Sequence, residues 1–163
     1  MGVLPSKVVV RTFLCSGTGE CTGIEQARPV FGRGLHVQGA VELGIDGAEV
    51  LTRAEVDTID ALWSLLLTCL GNFLESGHGV LRFPERAYSL TFERAAGRRV
   101  VLRFAGPNAK RSASGGEREV MDALLSGAAE FFRAVLASSP RDEWGYRRDL
   151  AAALALREGL PER

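Results

Sequence analysis

The sequence predicts an α+β domain: an antiparallel sheet of about five strands with three helices packed mainly on one face. Three observations predict it. One stretch alternates strictly between apolar and polar residues, one helix-period stripe is broad enough for a core helix, and the strands follow one another without regular β-α-β alternation. The chain has 163 residues, 46% hydrophobic and 25% charged. A chain of this length buries about 70% of its unfolded surface, enough for one core without covalent staples. With no repeat or low-complexity linker, a single domain over residues 1–163 is expected.

Val8-Val9-Val10-Arg11-Thr12-Phe13-Leu14 is β-branched and stops at Ser16-Gly17-Thr18-Gly19, so it reads as a strand followed by a loop reaching about Gly34. Leu35, Val37, Gly39, Val41, Leu43 and Ile45 then share one face of a strand, with His36, Gln38, Ala40, Glu42 and Gly44 on a wet face. Asp46-Gly47 makes a turn. Thr52-Arg53-Ala54-Glu55 has the form of a capping box. It is followed by Val56, Ile59, Trp63, Leu66, Leu70 and Phe73 at helical spacing, so a helix is expected from Thr52 to Gly77.

Val80-Leu81-Arg82-Phe83-Pro84 reads as a short strand before a hairpin. With Ala95-Ala96-Gly97 as the turn, Tyr88, Leu90 and Phe92 would face Phe104, Leu102 and Val100, while Glu93 and Ser89 would face Arg99 and Arg103. Residues 107–116 read as a polar loop, and Ser114-Gly115-Gly116-Glu117 as a second capping box. The helix it opens would carry Val120, Leu124, Ala128, Phe131 and Val135 inside. A third helix is expected from Ser139-Pro140, with Ser139 as cap and Trp144, Leu150 and Leu154 on its apolar side.

The 20 basic residues cancel the 20 acidic ones, which argues against a dedicated nucleic-acid or membrane-surface protein. Cys69 sits in an apolar run and reads as a small buried hydrophobe. For Cys15 and Cys21 a bridge and a free pair both stay open, the reduced, cytoplasmic form being the simpler expectation. No secretory leader or membrane span is expected. Eighteen arginines against two lysines point to a GC-rich bacterial genome.

Candidate chemistry is sparse. Gly17-Thr18-Gly19-Glu20-Cys21-Thr22-Gly23 lacks the dinucleotide spacing and a following helix, and no P-loop lysine is present. Cys15, Cys21, His36 and His78 form no close ligand couple, so no metal is expected. A cysteine nucleophile beside His36 would lack an orienting carboxylate. The basic residues of the second half are interspersed with glutamates, as on a solvated sheet face with cross-strand ion pairs. Residues 42–60 are acidic, and Glu42, Asp46, Glu49, Asp57 and Asp60 are the candidate contact residues of a partner-facing patch.

Gly39-Ala40-Val41-Glu42-Leu43, Asp46-Gly47, the Trp63 helix and Gly79-Val80-Leu81-Arg82-Phe83-Pro84 together resemble small bacterial immunity proteins, which neutralise a cognate toxin. The resemblance covers the middle third of the chain. It implies specific binding of one toxin domain, occlusion of that toxin's active site, and no cofactor. The expectation is therefore a non-catalytic binding module. The alternative is a small enzyme or ligand-binding domain built on the Gly17 to Gly23 loop and the His36/Glu42 face; a homodimer that buries the wet sheet face is a third arrangement.

Overall fold

The structure is a computed structural model that describes residues 4–27, 31, 35–138 and 140–162. The α+β class and the three helices stand as expected, and the strands divide into two antiparallel sheets. In the first, β1 (Val8–Cys15) lies between β2 (Cys21–Gly23) and β3 (Gln38–Ile45). β4 (Ala48–Leu51) and β5 (Asp57–Thr58) both pair with β3. After α1 (Ile59–Ser76), the second sheet is a meander of β6 (His78–Arg82), β7 (Ser89–Ala95), β8 (Arg99–Ala105) and β9 (Lys110–Gly116). Helices α2 (Glu117–Ala137) and α3 (Glu143–Glu158) follow and pack on each other.

The alternation in β3 does what its pattern demands. Val41, Leu43 and Ile45 enter the main core with Trp63, Leu66, Leu70 and Phe73 of α1. Ala40 is not wet as expected: with Phe13 and Cys15 it forms a small second cluster on the opposite face of this sheet. The guanidinium groups of Arg11 and Arg53 lie 4.9 and 4.7 Å from the Phe13 ring centroid, covering it while their charges stay in water. Asp46 and Gly47 both have positive φ, 49° and 85°, the geometry of a two-residue hairpin turn that glycine adopts without strain. That turn leads into β4, a strand the sequence did not announce.

The broad-faced Trp63 marks where α1, α2 and β1 converge. Its ring is fully buried, stacks on Phe131 at 6.2 Å, and donates its Nε1–H to Thr12 Oγ1 at 3.0 Å, so the polar edge of a large apolar group is satisfied. A Cβ at position 127 would lie 2.8 Å from Val10 Cγ1 and 3.1 Å from Trp63 Cη2. Glycine there is what lets α2 approach β1 so closely.

Several local expectations are corrected. Thr52 and Glu55 do bond, with Thr52 N–H and Oγ1–H both donating to the glutamate carboxylate, yet the helix begins only at Ile59. Asp57 and Thr58 first pair with Gly39 and Gln38, and Glu55 is held from the other sheet by Arg111 at 2.5 and 3.2 Å. The 107–116 loop is mostly strand β9, so Ser114 caps no helix: α2 starts at Glu117 behind Gly116.

The β7–β8 turn is Ala96-Gly97-Arg98. It pairs Leu90 with Phe104 and Phe92 with Leu102, so the expected Glu93–Arg99 and Ser89–Arg103 pairs do not form. A slip of this size keeps every side chain on its face, because the side-chain period of a strand is two; the facial pattern alone therefore could not choose between the two registers. Instead, Glu93 meets His78 at 2.8 Å and Arg99 reaches Ser114 Oγ at 3.1 Å. In α3 the buried positions go to Tyr146 and Ala153, while Trp144, expected inside, is 73% exposed. The expected cap Ser139 lies outside the described residues.

Candidate functional site

The five acidic residues singled out in the sequence do not share a face. Asp46 and Glu49 are exposed at the β3–β4 hairpin, where Asp46 Oδ1 accepts the Lys7 N–H at 2.8 Å. Glu42 is half-buried and pairs with Arg53 at 3.3 Å. Asp57 leaves the surface altogether. It is 0% exposed, with Oδ1 accepting Thr58 N–H at 2.7 Å and Oδ2 accepting the N–H groups of Glu85 and Arg86 at 3.1 and 2.9 Å. A carboxylate so placed ties the β6–β7 loop to β5 rather than meeting a partner.

Asp60 lies in a concavity. A cleft of about 540 Å³ opens where the N-terminal ends of α1 and α3 meet the segment 35–36 and the β6–β7 loop, and Asp60, Glu85, Asp142 and Asp149 line it. Asp60 Oδ2 accepts the Tyr146 phenol at 2.7 Å. Burial first, and then this hydrogen bond, push the Tyr146 pKa up, so the phenol stays a donor and orients the carboxylate. His36 Nδ1 lies 3.1 Å from Glu85. Among the described residues, no lysine or arginine lines the cleft. Trp144 stands on the rim with Arg148 at 5.1 Å over its ring.

The cleft presents an acidic lining in which Asp60 accepts from Tyr146, Glu85 faces His36 and Asp149 faces Arg148 at 3.7 Å. Among the described residues, no group of three or more His, Cys, Asp or Glu side chains is arranged to hold a metal ion. His36 and Glu42, proposed above as one face, are not brought together: one pairs with Glu85 at the cleft, the other with Arg53 on the first sheet. The Gly17 to Gly23 loop is a tight hairpin connection closed by a Cys15–Cys21 disulfide. This corrects the expectation of a reduced pair: the β1–β2 register places the two cysteines directly opposite each other.

Of the basic residues in the second half, Arg94 bonds Glu117 at 2.6 Å and Arg111 bonds Glu55. Sequence reasoning missed Trp144, Tyr146, Glu85, Asp142 and Asp149 as site residues; they converge only where α3 and the β6–β7 loop meet α1. A tryptophan set among Glu143, Arg147, Arg148 and Asp149 was the available signal. Neither a family model, nor a curated protein, nor a solved structure matches the chain. Among the described residues, no helix is long and apolar enough to cross a membrane.

Proposed function

We propose that the protein is a non-catalytic binding module that holds one partner protein through the α1/α3 cleft, with a basic side chain of the partner entering between Asp60, Glu85, Asp142 and Asp149. The observation that carries this reading is Trp144, a large aromatic left 73% exposed on the rim of a wall lined by carboxylates. Tryptophan is enriched among the residues that anchor protein interfaces, and this ring, over which Arg148 of the same chain lies at 5.1 Å, offers a guanidinium-stacking surface beside carboxylates. The narrower form of the proposal is an immunity protein that covers the active site of a cognate bacterial toxin, in the cytoplasm and without a cofactor. It rests on the sequence resemblance and on this acidic surface.

The test is affinity capture with tagged wild type, Trp144→Ala and Glu85→Lys, each checked for an unchanged melting temperature. A single basic protein retained in stoichiometric amount by the wild type and lost by both variants supports the module. Inhibition of that protein's own enzymatic activity by wild type, relieved in the variants, supports the immunity form. Capture that is indifferent to both substitutions, or no protein partner at all, overturns the reading.

A further inference from the structure

The geometry points to the Cys15–Cys21 bridge as a reversible redox clasp that governs whether β2 stays in the first sheet. β2 is a three-residue strand whose only strand neighbour among the described residues is β1, through the pairs Phe13–Gly23, Leu14–Thr22 and Cys15–Cys21. The bridge therefore locks one end of a very short ladder. At the other end, Ile24 donates its N–H to Thr12 O at 3.0 Å and buries its side chain in the main core. Between these two ties the strand has little to hold it, since an isolated ladder of three pairs is marginal in water.

The two sulfurs differ in surroundings. Cys15 is buried with Phe13 and Ala40, whereas Cys21 is half-buried at the edge of that cluster. Cys15 also lines an open groove of about 520 Å³ together with Ser16, Glu20 and Thr22, so the bridge lies beside solvent. The third cysteine takes no part: Cys69 is buried in the main core and burial pushes its thiol up to about 12, leaving it protonated and unreactive.

Opening requires an external dithiol. Its thiolate attacks Cys21 Sγ, the Cys15–Cys21 bond breaks, and Cys15 leaves as a thiolate that takes up a proton. The second thiol of the reductant then displaces Cys21 from the mixed disulfide, and the reductant departs as its own disulfide, having supplied two electrons. With the clasp open, segment 16–23 keeps the three-pair ladder, the turn bonds of Ser16 and Gly19 and the Ile24 tie, and the backbone of Phe13, Leu14 and Cys15 becomes a free sheet edge whenever β2 lifts. Closing a loop with a sequence separation of 6 disfavours the lifted state by about 40-fold through chain entropy. That factor is the expected span of the switch.

The experiment is native-state hydrogen exchange and iodoacetamide trapping of the full chain, with and without dithiothreitol. The expected result is two alkylated cysteines, 15 and 21, and exchange across residues 21–23 faster by about 40-fold, with α1 and β6–β9 unchanged. Cys21→Ser should show the same fast exchange with no reductant present. Exchange over 21–23 that is unaltered by reduction and by the substitution overturns the proposal, as does a bridge that opens only when the whole chain unfolds. Neither readout depends on a partner, so failure here leaves the binding reading untouched.

Discussion

Replacing Asp57 with asparagine removes one carboxylate oxygen from a site where three backbone N–H groups converge on the side chain. If the amide oxygen turns toward Glu85 and Arg86, the amide NH2 faces the Thr58 N–H, donor against donor. The two surviving bonds fall from charged to neutral strength, about 1 kcal/mol each, and an orphaned buried N–H costs about 1–3 kcal/mol. The neutral amide is easier to bury than the carboxylate, which offsets part of this. A net loss of about 3 kcal/mol is expected, equivalent to a melting temperature lower by about 6–12 °C for a domain of this size. Urea and thermal melts followed by tryptophan fluorescence give the number, and amide exchange at Glu85 and Arg86 should quicken locally. A change within about 0.5 kcal/mol, the range of an exposed polar substitution, would refute the burial of Asp57 and return it to the acidic surface.

Trp144→Ala should leave the melting temperature within about 2 °C of wild type, because the ring packs into no core, yet weaken partner binding by about 2 kcal/mol or more in calorimetry. Gly127→Ala sets a gain of about 0.5–1 kcal/mol in helix propensity against the close approach to Val10 and Trp63; overpacking costs about 1–3 kcal/mol, so net destabilisation in a urea melt is expected. The Cys69 thiol, ordinary at 9.0 when unfolded and raised to about 12 by burial, stays protonated in the native state while the unfolded chain ionises. Its contribution is therefore intact below pH 9 and is lost above it, by about 1.4 kcal/mol between pH 8 and pH 10. Cys69→Ala should show a pH-dependent loss smaller by that amount.

Where periodicity carries the information, the sequence was readable. The alternation through Val41, Leu43 and Ile45 and the stripe from Ile59 to Phe73 both reappear as core faces, because burial on one side is what those patterns encode. β9 escaped because Lys110, Arg111, Ser112, Ala113 and Ser114 include no β-branched or aromatic side chain; it is a strand because β8 offers it a ladder, a tertiary fact. Asp57 reads like any outward carboxylate on a helix, and the loop amides that bury it come from residues 28 and 29 positions away. The cleft was legible only in Asp60 and His36, since its other walls come from a loop and a helix that meet α1 in space and not in the chain.

Each sheet is closed within its own stretch of chain, residues 8–58 for the first and 78–116 for the second. No strand of one is borrowed from the segment of the other. Pairings of short sequence separation form early and fast, so during synthesis the first sheet has all its strands before α1 is made, and the second is a meander that needs nothing downstream. What must wait is the docking of α2 onto β1, through Gly127 against Val10 and Trp63. Until α2 arrives, the apolar side of β1 is covered only in part, by Trp63 of α1, and the half-made chain carries its adhesive surface there, at its oldest end.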